Sequence, residues 1–214
     1  LVVVNPDNPS GNFIPYDELL ELAAWTQQRG IRLVVDESFV DFSVGYEKNT
    51  LLRDDVLEKY PNLVVMKSIS KSYGVPGLRL GVLASADRAL VNRIKKGVAI
   101  WNINSFAEFY MQIFGKYEKN YKDASARFIQ ERERFRMALQ AIPFLRVIPS
   151  QANYFLCEVL HPYTASQLTR QLLRGNILIK DCSHKKSFAG KEYVRIAVRG
   201  KEDNNRLIEE FKKC

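Results

Sequence analysis

Between Lys67 and Gly81 the chain reads KSISKSYGVPGLRLG: three serines, two lysines, three glycines and an arginine behind an apolar run. A polar loop between two strands has the same composition, and most lysines serve only as solvated charge. A lysine between Ser70 and Ser72, at the end of a buried strand, has a second use. Partial burial disfavours an ammonium, and a neutral amine can attack a carbonyl carbon to form a Schiff base. The neighbouring serines, with Arg79 eight residues beyond Lys71, supply hydroxyls and a planar guanidinium fork suited to a phosphate. Asp36 closes the segment IRLVVDE, where a partly buried carboxylate needs a cation or a donor. An N-cap or a structural ion pair would meet that need, and so would a protonated pyridine nitrogen. Amine, phosphate donors and distant carboxylate each say little alone. Together they fit pyridoxal 5′-phosphate (PLP).

The elements that must position these residues can be read from pattern. LVVV is a buried strand beginning at the first residue, and NPDNPSGNF is a dense turn cluster. IPYDELLELAAWTQQRG reads as a helix, with Pro15 near its start, acids in its first turn and Gly30 at its C-terminal cap. IRLVVDE follows as a second strand, which makes a βαβ unit and predicts a parallel sheet with a right-handed crossover. NLVVMKS is a third strand after an irregular stretch, 44–60, with room for a short helix; LRLGVLAS is a fourth, and DRALVNRIKK a helix. Asn8, Asp36 and the Lys67–Gly81 loop all follow strand ends, where open α/β sheets form their sites. SFAE at Ser105 matches a capping box, and helical pattern continues to about Ala141. The strands FLRVIPS, ANYFLCEV, NILIKD and EYVRIAV, with the helices TASQLTRQLLRG and KEDNNRLIEEFKK, then predict a small α+β unit over 142–214.

Composition removes other classes. The 214 residues are 46% hydrophobic and 26% charged, a globular balance with room for a core. No apolar run approaches the roughly 20 residues of a membrane span. The net charge of +8 is unevenly placed: 6 Lys/Arg face 11 Asp/Glu through residue 70, and 26 face 13 beyond it. The excess falls on segments such as KYEKNYKDASARFIQERERFR, where acids alternate with bases as on a solvated, ion-paired helix face. Without a nucleic-acid-binding signature, charge alone does not argue for nucleic acid. Cys157, Cys182 and Cys214 leave one thiol over in any disulfide scheme, so reduced thiols and a cytoplasmic protein are expected. His161 and His184 form no zinc motif, and no metal is expected.

NPDNPSG, VVDESFVDF and SISKSYGVPGLRLG resemble the three signature segments of the class I/II aminotransferases of PLP fold type I. Order and spacing agree: Asn8 to Asp36 is 28 residues, Asp36 to Lys71 is 35, Lys71 to Arg79 is 8. The resemblance continues through PSQANYFL, NILIKDC and YVRIAVRG, and points most closely to histidinol-phosphate aminotransferases and threonine-phosphate decarboxylases. DESF, WNIN and ILIKDCS resemble the decarboxylases more. The implied fold is α/β: the C-terminal part of a fold type I enzyme, a mostly parallel sheet flanked by helices plus a small α+β domain. In that frame residues 1–104 are the C-terminal portion of the large PLP-binding domain, 105–141 a linking helical region and 142–214 the small domain.

The resemblance also implies roles. Lys71 would hold PLP as an internal aldimine and move the α-proton, and Asp36 would keep the pyridine nitrogen protonated. Asn8 would hydrogen-bond the 3′-oxygen. Ser68, Ser70 and Arg79 would hold the phosphate, and Arg195 in YVRIAV would grip the substrate α-carboxylate; a strand-edge surface arginine is its plainer reading. Lys67 is expected to end a strand and face solvent. Phe39 stands at the cofactor where many members have a tyrosine that donates to the 3′-oxygen; lacking the hydroxyl, it implies a raised imine pKa. Members run to roughly 350 residues, so the chain is expected to be a portion of a longer polypeptide, inactive in isolation. The implied protein is a homodimeric PLP-dependent aminotransferase, a transferase acting on a small-molecule amino acid, phosphate- and phosphonate-bearing ones included. The alternatives are a threonine-phosphate-type decarboxylase, a lyase, and a catalytically silent PLP-binding regulatory module.

Overall fold

A computed structural model describes residues 1–185, 188 and 190–214. It divides into two compact units, one of residues 1–7 and 13–125, the other of residues 8–12 and 126–214.

The first unit carries a four-stranded sheet in the order β1 (Val2–Val4), β2 (Leu33–Asp36), β3 (Leu63–Ser68), β4 (Gly81–Ala84). β1, β2 and β3 are parallel, with Val4 opposite Asp36 and Asp36 opposite Met66; β4 runs antiparallel to β3. The expected βαβ unit is present. Its helix α1 (Tyr16–Gln28) follows Pro15, ends before Gly30 at φ +63°, and buries Leu19, Ala23 and Thr26, spaced for one helical face. That face packs with Leu33, Val35, Leu63 and Val65 of the strands. Alternate residues of β2 enter this core because side chains alternate across a sheet.

Four details depart from expectation. β1 starts at Val2 rather than at the first residue, and Leu78–Leu80 belong to a turn rather than to β4. The stretch 44–60 holds two short helices, α2 (Tyr46–Asn49) and α3 (Asp54–Lys59). After α4 (Arg88–Gly97), capped by Asp87, comes α5 (Ser105–Phe114). Its N-cap is Asn104, not Ser105: the Asn104 side chain accepts from Ala107 N at 2.9 Å, since asparagine one residue earlier reaches the free amides as well as serine does. α6 (Glu118–Gln140) follows a short 3₁₀ turn.

The second unit is a four-stranded antiparallel sheet, β5 (Leu145–Val147), β6 (Tyr154–Val159), β8 (Tyr193–Ala197), β7 (Lys180–Asp181), with helices α7 (Ala165–Arg174) and α8 (Lys201–Lys212). Thr164 and Gln167 close a capping box at α7. Phe135, Leu139, Phe155, Leu168, Ile196 and Phe211 sit in its core. The ion-paired reading of the long helix holds for Glu131–Arg134 and Glu133–Arg136, and Glu133 also pairs at 3.5 Å with Arg132, which does not fit the solvated part of that reading. The Arg132 side chain is wholly buried, its guanidinium donating to Ala152 O at 3.4 Å and Gln151 Oε1 at 3.3 Å.

Among the described residues no helix is long and apolar enough to cross a membrane, and no group of three or more His, Cys, Asp or Glu could hold a metal. The three cysteines are free; burial pushes the Cys157 thiol up to about 12.

Candidate active site

The carboxyl ends of β2 and β3 bring four expected residues together. Asp36 is the last residue of β2. Its Oδ1 accepts both from Ser38 N at 2.9 Å and from Ser38 Oγ at 2.5 Å. Ser38 Oγ in turn accepts from Ser68 N, the end of β3, at 3.0 Å. Phe39 is buried, and the Lys71 Nζ lies 5.0 Å from its ring centroid, a cation–π arrangement. Lys71 itself differs from the expected half-buried lysine. β3 ends at Ser68, Ile69 and Ser70 turn inward, and the turn carries Lys71 to an exposed position.

The turn also sets Arg79. At φ +57° it occupies the left-handed region, unusual for a residue with a Cβ and frequent at sites where other contacts fix the backbone. Its guanidinium makes one long bond, to Pro76 O at 3.4 Å. Ser70 is buried and its hydroxyl donates to Leu80 O at 3.1 Å, so that proton is committed to the fold of the turn.

Lys67 requires a correction. Its ammonium meets Asp41 Oδ1 at 2.5 Å, and the two side chains are only 11% and 6% exposed. Alternation along β3 places Lys67 on the opposite face from Ser68, and Asp41, in the turn after Phe39, lies under that face. No local pattern marks this pair, since Asp41 precedes Lys67 by 26 residues. Tyr121 of α6 lies beside Asp41. Burial first, then the Asp41 charge, push its phenol above the usual range. Glu37 is buried too, accepting from Thr50 Oγ and Leu51 N, both at 2.6 Å. Burial raises its pKa despite those donors and the Lys67 charge.

The remaining two expected residues belong to the second unit. Arg195 lies on β8, an interior strand opposite Leu156 of β6 and Lys180 of β7, so it is not the strand-edge arginine of the plainer reading. Its Nη1 donates to Asn8 Oδ1 at 2.7 Å, and its guanidinium carbon is 5.0 Å from the Tyr154 ring centroid. The Asn8 loop is held by Gly11, whose carbonyl accepts from Gln151 N at 2.9 Å.

The family model for aminotransferases of class I and II matches residues 1–211. The chain belongs to that PLP-dependent family. It is 34% identical over 208 residues to the CMP-5′-(3-aminopropyl)phosphonate synthase of Streptomyces rubellomurinus, covering 97% of this chain and 32% of the relative. It is 33% identical over 215 residues to the L-serine phosphate decarboxylase of Sulfurospirillum multivorans, covering 97% and 53%. Among solved structures, the histidinol-phosphate aminotransferase of Clostridium acetobutylicum superposes with a TM-score of 0.90 at 26% identity, over 99% of this chain and 62% of that one. The chain thus spans a third to about three fifths of the proteins it matches, and its fold is that of PLP fold type I.

The residues present fit PLP by their unspent chemistry. Asp36 Oδ2 and Lys71 Nζ make no hydrogen bond or ion pair among the described residues, while the Arg79 fork is nearly free. Carboxylate, amine and guanidinium are the three groups a pyridine nitrogen, an aldehyde and a phosphate require.

Proposed function

We propose that the protein is a PLP-dependent aminotransferase acting on a small amino acid that bears a phosphate or phosphonate. The observation that carries this reading is Lys71 Nζ over the ring of Phe39, which joins the lysine turn to the Asp36 turn. When bound, PLP supplies an aldehyde for a lysine amine and a ring that takes up electrons from the substrate's Cα. Asp36 Oδ2 would hold the proton on the ring nitrogen, and Ser68 and Arg79 would hold the phosphate. The Ser70 hydroxyl would have to turn from Leu80 O to assist. Phe39 covers the lysine without offering a donor to the 3′-oxygen, leaving that bond to Asn8. Arg195, steadied by Asn8, would take the substrate carboxylate in its remaining donors, and Lys71 would move the proton at Cα. A homodimer in the cytoplasm belongs to the same proposal.

Decarboxylation is the second reading, supported by the likeness to the L-serine phosphate decarboxylase. Both reactions use the same residues, and the bond that Arg195 aligns for cleavage separates them. Two measurements test the proposal on the polypeptide expressed from its complete reading frame. Borohydride reduction with PLP followed by peptide mapping is expected to place the adduct on Lys71; an adduct on Lys67, Lys95 or Lys96, or none, overturns the site. Product analysis then compares an amino-acid/2-oxoglutarate pair with O-phosphoserine and threonine phosphate. Carbon dioxide without keto-acid exchange would replace aminotransfer by decarboxylation.

A further inference from the structure

We propose that Ser38 is a positioning residue for Asp36, fixing which carboxylate oxygen is offered to a PLP ring nitrogen and tying it to the end of β3. This rests on the PLP-dependent function proposed above. Ser38 is buried, 8% exposed, and its three polar contacts have forced directions. An amide nitrogen can only donate, so the hydroxyl oxygen accepts from Ser68 N at 3.0 Å. Its proton is then given to Asp36 Oδ1 at 2.5 Å, while Ser38 N donates to the same oxygen at 2.9 Å.

A carboxylate attached through one soft torsion can exchange its two oxygens by rotation. Two donors on Oδ1, both from one residue, oppose that exchange and leave Oδ2 as the open acceptor. The bond to Ser68 N does more: it fixes the distance from the Asp36 carboxylate to the strand end that carries the proposed phosphate-binding Ser68. An alanine at this position would keep only the main-chain donor. Groups that orient a binding residue from behind commonly change affinity by 10- to 100-fold when removed, as second-shell partners of metal ligands do.

The test compares wild type, Ser38→Ala and Ser38→Thr, each from the complete reading frame and freed of cofactor. The PLP dissociation constant is read by absorbance, with the pH midpoint of the bound cofactor's visible band. The Ser38→Ala variant should bind PLP about tenfold more weakly and shift that midpoint, and Ser38→Thr should restore both. Should Ser38→Ala not fold, Ser38→Cys, a weak donor of similar size, takes its place with the same expectation. In an Asp36→Asn background the Ser38 substitution should have no further effect. Wild-type affinity and midpoint in Ser38→Ala, or an undiminished effect beside Asp36→Asn, overturn the positioning role alone. Failure of the wild-type protein to take up PLP overturns both this role and the function on which it rests.

Discussion

Lysine 67 offers the sharpest energetic test, because its sequence reads as solvated and its structure does not. At 2.5 Å and an effective dielectric near 20, the gross attraction to Asp41 is about 6–7 kcal/mol. Desolvating two ions costs several kcal/mol each, so the pair as a whole contributes little net stability. Removing one partner is different. In a Lys67→Met variant the Asp41 carboxylate, 6% exposed, would be left buried without its cation. Among the described residues its Oδ2 has no hydrogen-bond partner at ordinary bonding geometry, and the Tyr121 phenol beside it carries no positive charge to replace the ammonium. The expected loss is about 3–5 kcal/mol. Replacing both, Lys67→Met with Asp41→Leu, should recover most of it.

Urea unfolding followed by circular dichroism checks this through the midpoint at constant slope, and the double-mutant cycle isolates the pair. A single-variant loss below about 1 kcal/mol would place Lys67 with exposed ion pairs and refute the reasoning. So would a double variant no more stable than the single.

Two further outcomes follow from local geometry. Gly11 has φ +73°, and a Cβ there would come within 2.0 Å of Ser150 Oγ; Gly11→Ala should cost about 2–5 kcal/mol from backbone strain plus overpacking. Adding Ser150→Gly should return the steric part, and a loss under about 0.5 kcal/mol in the single variant would exclude the contact. Glu37 is a buried acid with its pKa raised from 4.5, so the native state holds that proton more tightly than the unfolded chain. Its contribution is therefore greatest at low pH and declines as pH rises from the unfolded value through the raised one. Urea midpoints should show the stability of wild type relative to Glu37→Gln falling across that window; a flat or rising difference contradicts the assignment.

Fold type was legible because the signals are local and redundant. Leu19, Ala23 and Thr26 mark one helix face, and Leu33 with Val35 one sheet face; each pattern alone names its element. The lysine, aspartate and arginine of the proposed site were singled out from strand ends and spacing. What sequence did not show depends on contacts between distant turns. Ser38 has no period to betray it, since its partners are a carboxylate two residues back and an amide 30 residues on. Lys67 was misjudged for the same reason: Asp41 is 26 residues away, and charge at a strand end looks solvated until its partner is placed. Asn104 displaced Ser105 as a cap because both residues suit the role and only backbone angles choose between them.

The grouping of these residues at one edge of the sheet has a main-chain cause. A parallel ladder stops where strands end, leaving amides and carbonyls that burial would penalise. Here the ladder is prolonged by loop atoms. Asn5 N donates to Asp36 O at 2.9 Å, Glu37 N to Met66 O at 2.7 Å, and Ser68 N to Ser38 Oγ at 3.0 Å. The first two are continued by main chain; at the third position the partner is a side chain. That substitution frees the β2 turn from strand geometry just where Asp36 must present an oxygen, and it does so without leaving the Ser68 amide unpaired. A hydroxyl serves because it accepts on one side and donates on the other. Asparagine could also do both but is larger than the 8% exposed Ser38 position admits, and alanine could do neither. The residue that completes the sheet is thus the one that aims the carboxylate.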